Sequence, residues 1–68
     1  MKAVSGRHLA RLIEAHGWVF QRVKGSHHVY SREGNRENVS IPIHGNRDLG
    51  TGIQARLMKL AGLTEDDL

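Results

Sequence analysis

The chain has 68 residues, with ten Lys or Arg against seven Asp or Glu, five His and no Cys; that length allows one small domain with a modest core, and the missing cysteines exclude a disulfide or thiolate–metal staple. No apolar run approaches the roughly 18 residues of a membrane span, and Met1-Lys2-Ala3-Val4-Ser5-Gly6 lacks the apolar segment of a secretory signal, so a soluble, cytoplasmic protein is expected. The formal net charge is +3, but Glu65, Asp66 and Asp67 all lie in the final segment; the remainder is strongly basic, which suits a phosphate-binding surface and, with no helix pairing a basic face to a broad apolar one, argues against membrane binding.

The first element is expected to be a helix. Ser5 can cap it by accepting from the free amides of the first turn, and Val4 and Leu9 stand where a hydrophobic staple places them. Leu9, Leu12, Ile13 and His16 follow i, i+3, i+4, i+7 spacing, one face of a helix. Arg7, Arg11 and Glu14 fall mostly off that face, and Gly17 can end it in a left-handed conformation.

Strands follow. Trp18 to Val23 is rich in aromatic and β-branched residues, Lys24-Gly25-Ser26 reads as a turn, and His27 to Ser31 as a second short strand. The polar, glycine-punctuated segment 32–38 is a hairpin loop. Val39, Ile41 and Ile43 alternate with Ser40 and Pro42, as in a half-buried strand, and Pro42, which cannot donate to a ladder, suggests an edge position.

After a loop from His44 to Gly50, Thr51 is positioned to cap a second helix whose buried face would carry Ile53, Leu57, Leu60 and Ala61. Gly62 stops it, and Leu63 can fold back as the apolar contact of a Schellman motif. Residues 64–68 form a short acidic tail, expected to fray, after a single domain over residues 1–63. The order α-β-β-β-α implies an α+β fold in which two helices cover one face of a three-stranded antiparallel sheet. Double-stranded-RNA-binding domains have this order, but fold does not assign function.

The chemistry is concentrated in the histidines. His27 and His28 open the second strand, and His44 follows the third. If those two strands pair, His27 and His44 approach each other at the open end of the sheet. Histidine is the side chain whose ordinary pKa makes both protonation states accessible near neutrality. RNA brings its own nucleophile, the 2′-hydroxyl. A protein that cuts it needs a base, an acid and cations for the developing phosphorane charge, with no metal or other cofactor required. Arg22, Lys24 and Arg32 are the nearby cations; Gly25 permits close backbone approach to phosphate, and Ser26 can donate a hydrogen bond. Adjacent strand residues point to opposite faces, so at most one of His27 and His28 shares a site with His44, and the pair is a poor joint metal site. Trp18, Phe20 and Tyr30 could stack on bases, although in so small a chain most aromatics belong to the core. Gly45, Gly50 and Gly52 lack the Gly-Lys-Ser/Thr context of a phosphate loop.

These residues resemble a known family. Gly17-Trp18-x-Phe20-x-Arg22-x-x-Gly25-Ser26-His27-His28, then Ile41-Pro42-Ile43-His44, then Arg47-Asp48-Leu49-Gly50-Thr51-Gly52, then Ala61-Gly62-Leu63 occur in the order and spacing of the HicA, or YcfA-like, proteins. The likeness covers roughly Ser5 to Leu63. One departure is Gly52-Ile53, where the family often has Gly-Thr-Leu.

The resemblance implies a double-stranded-RNA-binding-like fold and the toxin of a toxin–antitoxin pair that cleaves mRNA, neutralised by a HicB-like antitoxin. It assigns the catalytic histidine to His27, with His28 in reserve. Arg22, Lys24, Gly25, Ser26, Arg32 and His44 would then contact RNA. An antitoxin would bring acidic and apolar groups to the basic histidine face; alternatively, the acidic tail could fold over that face. A non-catalytic RNA-binding module with the same fold is the other functional reading.

Overall fold

The first helix begins where the sequence places it. Ser5 has extended backbone, and its Oγ accepts the His8 amide at 3.0 Å, so one of the orphan donors of the first turn is satisfied. The computed structural model describes residues 1–68, and in it this helix, α1, spans Gly6–Ala15. Leu9, Ala10 and Ile13 are buried along one side and Leu12 is half-buried, whereas His16 lies exposed beyond the end.

Three strands form one antiparallel sheet, in the order β1 (Val19–Lys24), β2 (His27–Ser31), β3 (Val39–Pro42). Gly25 takes φ of +62°, which lets the chain reverse between Lys24 and His27 within two residues. Gln21 is the extra residue of a bulge: Phe20 pairs with Tyr30, and Arg22 with Val29. Pairing of His27 with Pro42 and Tyr30 with Val39 fixes the β2–β3 register and puts Pro42 on an edge strand.

The core lies over one face only. Tyr30, Val39 and Ile41 supply the sheet side, and Leu9, Ala10, Ile13, Leu57, Met58 and Ala61 supply the helices. Helix α2 (Thr51–Ala61) completes this layer. The fold is therefore α+β with both helices on the same side of the sheet, as expected. Trp18 precedes β1 and turns inward, 3% exposed, donating from Nε1 to the Ala61 carbonyl at 3.2 Å. After α2, Gly62 is left-handed and the Leu63 amide returns to the Met58 carbonyl at 2.9 Å, the expected Schellman closure.

Three expectations are corrected. The buried face of α2 is Gln54, Leu57, Met58 and Ala61, while Ile53 is 41% exposed. Burying Gln54 is possible because both ends of its amide are bonded: Oε1 accepts the Val4 amide at 3.0 Å and Nε2 donates to the Lys2 carbonyl at 2.6 Å. Thr51 does not cap α2; Gly50 occupies that position, with φ of +89° and no side-chain cap. The tail does not fray. Thr64 and Asp67 close a capping box around a short 3-10 turn, Glu65–Asp67, and Leu68 packs against the core. Glu65 pairs with the Met1 ammonium at 3.4 Å and Asp67 lies 3.5 Å from His16, so the acidic residues are tied to the chain start and the end of α1 rather than spread over His27.

At Gly6, α1 comes close to the backbone of the sheet. A Cβ there would collide with the Pro42 carbonyl oxygen and press on Ile43, whereas one at Gly52 would meet nothing. Helix propensity favours Ala over Gly at both positions by up to about 1 kcal/mol. Gly52→Ala should therefore raise the melting temperature, and Gly6→Ala should lower stability by about 1–3 kcal/mol through overpacking. Thermal unfolding of the two variants side by side checks the opposite signs.

Candidate functional site

Alternation along β2 separates the two candidate histidines. Tyr30 and its i−2 neighbour His28 face the helices, while Val29 and His27 face away. On the outer face Lys24 is the cross-strand partner of His27, and Arg22 that of Val29. Directly paired residues stand about 5 Å apart at Cβ, so the Lys24 ammonium can reach whatever His27 touches. The outer face also carries Ser40, whose Oγ lies 3.3 Å from His27 Nδ1. That contact steadies the ring and leaves Nε2 without a protein partner. His27 and Lys24 are both exposed.

The turn completes this end. The Ser26 carbonyl accepts the Ile43 amide at 3.0 Å, which extends the pairing of β3 one step past Pro42. His44, exposed, follows immediately, so the structure brings Lys24, Gly25, Ser26, His27 and His44 to the same end of the sheet. Arg22 lies further along the same face. No carboxylate comes within 4.0 Å of Arg22 or Lys24, since the two ion pairs of the chain involve Met1 with Glu65 and His16 with Asp67. The result is an open, uncompensated basic face bearing one histidine.

Arg32 is placed elsewhere, at the far end of β2. Its guanidinium lies 4.6 Å from the Trp18 ring centroid, donates to the His16 carbonyl at 3.0 Å, and donates to Asn35 Oδ1 at 3.0 Å. It links the end of α1, the buried Trp18 and the β2–β3 loop.

His28 belongs to different surroundings. It is half-buried on the helix side of the sheet, 5.7 Å from Phe20 between ring centroids, in a cleft that also touches Arg7, Arg11, Glu14 and Tyr30. Burial, and then the Glu14 charge, push the Tyr30 hydroxyl above its ordinary pKa, so near neutrality it is a phenol and not a base. No cluster of three His, Cys, Asp or Glu side chains is placed to hold a metal ion, and His27 and His28 diverge too far to share one.

Sequence reasoning missed Ser40 as the partner of His27, although its place on the polar phase of the third strand was a usable signal. It also missed the cleft, which is assembled from three separate segments.

A two-layer α-β-β-β-α domain with an open basic sheet face carrying a single histidine defines the class. Within that class, residues 6–63 match the family described as HicA toxin of bacterial toxin–antitoxin, and the chain belongs to this family. Its role is accordingly that of a toxin acting with an antitoxin partner. No curated protein matches the chain, and no helix is long and apolar enough to cross a membrane.

The Arg32 contacts define a structural role that can be measured. Arg32→Ala should lower stability by about 1–3 kcal/mol, from a lost cation–π contact and two lost hydrogen bonds. Lys at this position should recover only part of the loss, because an ammonium lacks the planar fork. Urea unfolding midpoints of the two variants test this.

Proposed function

We propose that this toxin is a metal-independent endoribonuclease that cuts mRNA on the outer face of its sheet, with His27 as the proton-transfer residue. The observation that carries the reading is the exposed His27, steadied at Nδ1 by Ser40 and set opposite Lys24. The 2′-hydroxyl oxygen of the substrate attacks the adjacent phosphorus, its proton passes to a base, and the bond to the 5′-oxygen breaks as that oxygen takes up a proton. His27 Nε2 performs one of these transfers, and His44, at the same sheet end, is the candidate for the other. Lys24 balances charge on the phosphorane oxygens, and Arg22 holds a neighbouring phosphate. Gly25, without a side chain, lets the turn approach the backbone of the RNA, and Ser26 contributes a hydroxyl to it.

His28, half-buried on the opposite face, is a less accessible alternative for this step. Arg32, engaged with Trp18, takes no part in it. A HicB-like antitoxin is the partner this reading implies, with acidic and apolar groups covering the His27–Lys24 end, and the cytoplasm is where mRNA would be met. The fold without the chemistry would serve a plain RNA-binding module, and the unpartnered Nε2 of His27 favours cleavage over that.

Purified wild type should release fragments ending in 2′,3′-cyclic phosphate and 5′-hydroxyl. His27→Ala should cut about 100- to 10,000-fold more slowly, and Lys24→Ala about 100-fold more slowly, with circular dichroism unchanged in both. Fragments bearing 5′-phosphate would rule out attack by the 2′-hydroxyl. Undiminished cutting by folded His27→Ala would move the chemistry to His28 or His44.

A further inference from the structure

The helix-facing side of the sheet extends beyond its helices. β1 is an edge strand, and Phe20 and Val23, although on the core side by register, are 45% and 53% exposed. Phe20 lies against Tyr30, edge-on at 5.8 Å, and against His28 at 5.7 Å, so three rings form a continuous floor. A cleft of about 360 Å³ lies between α1 and the side chains of His28, Tyr30 and Ile43, within the range of small-ligand sites, and Phe20 adjoins it through its contacts with two of the lining rings. Arg7 and Arg11, one turn apart on α1, border it. Both are exposed, and neither has a carboxylate within 4.0 Å, even though Glu14 lines the same cleft.

We propose that this cleft binds one nucleotide of single-stranded RNA, with its base on His28 and reaching onto the adjoining exposed Phe20, its phosphate on Arg7 and Arg11, and Glu14 reading the base edge. The proposal deepens the ribonuclease reading and rests on it for the class of substrate. An aromatic floor beside unpaired guanidiniums is the combination that holds single strands, by stacking and by charge. Glu14 repels the carboxylates of an acidic peptide but accepts from an amino group, so it favours a base that presents one. His27 and His28 are neighbours on opposite faces of β2, and the short Gly25-Ser26 turn separates the two surfaces. A strand held in the cleft can therefore round that turn and present its next phosphates to Lys24 and His27. The cleft would thus fix which bases stand beside the cut.

The test uses the His27→Ala protein, which keeps the cleft, with short single-stranded oligo(A), oligo(C) and oligo(U). Arg7→Ala with Arg11→Ala should weaken binding roughly tenfold and lower the slope of log affinity against log salt by about 0.7 per cation lost. Phe20→Leu, which keeps an apolar side chain, should weaken binding at least about fivefold with the slope unchanged. Glu14→Gln should reorder the three oligonucleotides rather than weaken all alike. Unchanged affinity and slope in the folded arginine and Phe20 variants would overturn the proposal. So would polyglutamate competing as well as RNA of equal charge, since that would make the cleft an acidic-chain site. Cleavage by the same cleft variants with His27 intact is read separately. Wild type that cuts, with variants that cut at the same rate and bases, removes the cleft alone; cleft-dependent RNA binding by a wild type that never cuts removes the ribonuclease reading and leaves the cleft.

Discussion

The register of β2 is the constraint on which the rest depends. Tyr30 must stay in the core with Val39 and Ile41, and strand side chains alternate with a period of two. A slip of one residue would expose Tyr30 and turn His27 under the helices. The slip is blocked from both sides. The two-residue turn at Gly25 fixes β1 against β2, and the Pro42 backbone is held against Gly6 of α1, where no side chain intervenes. The orientation of His27 is thus set by packing on the far side of the sheet, and so is its separation from His28.

A chain of this size has little apolar area with which to hold that register. Polar contacts that tie distant segments together supply part of the difference. Gln54 joins α2 to the backbone of Lys2 and Val4. Trp18 joins the start of β1 to the end of α2, and Arg32 joins the end of β2 to the end of α1. The Leu49 amide returns to the Val4 carbonyl, which brings the loop after β3 back to the first helix. Those of Gln54 and Trp18 satisfy groups whose burial would otherwise be costly, and together the contacts act as cross-ties in a chain that has no cysteine.

Much of this was legible in the sequence because it depends on local pattern. Alternation placed the strands, Ser5 marked the start of α1, and Gly62-Leu63 marked the end of α2. The phase of α2 was not legible, because periodicity counts apolar residues and the most buried turn of that helix includes a glutamine. Only the approach of Lys2 and Val4, 52 and 50 positions away in sequence, makes Gln54 an interior residue. The tail was misread because three acids suggested solvation, although Thr64 and Asp67 have capping-box spacing. At the site, the separation of His27 from His28 followed from strand geometry. The cleft did not, since its lining comes from α1, β2 and Ile43, which only the fold brings together.

The two sides of β2 share an electrostatic property that bears on how such a toxin is restrained. Arg7 and Arg11 on one side, and Arg22 and Lys24 on the other, lack carboxylate partners, whereas Glu65 and Asp67 are engaged with Met1 and His16. The fold therefore leaves its positive potential undischarged at the end of the sheet where His27 sits. Such a surface attracts polyanions at long range, and the attraction does not depend on which polyanion arrives first. On the ribonuclease reading proposed above, an antitoxin that carried negative charge to this end would gain the same encounter advantage as RNA, and restraint would be a competition between two acidic ligands for one basic surface. On that reading, a substitution that paired these cations internally would weaken both ligands together.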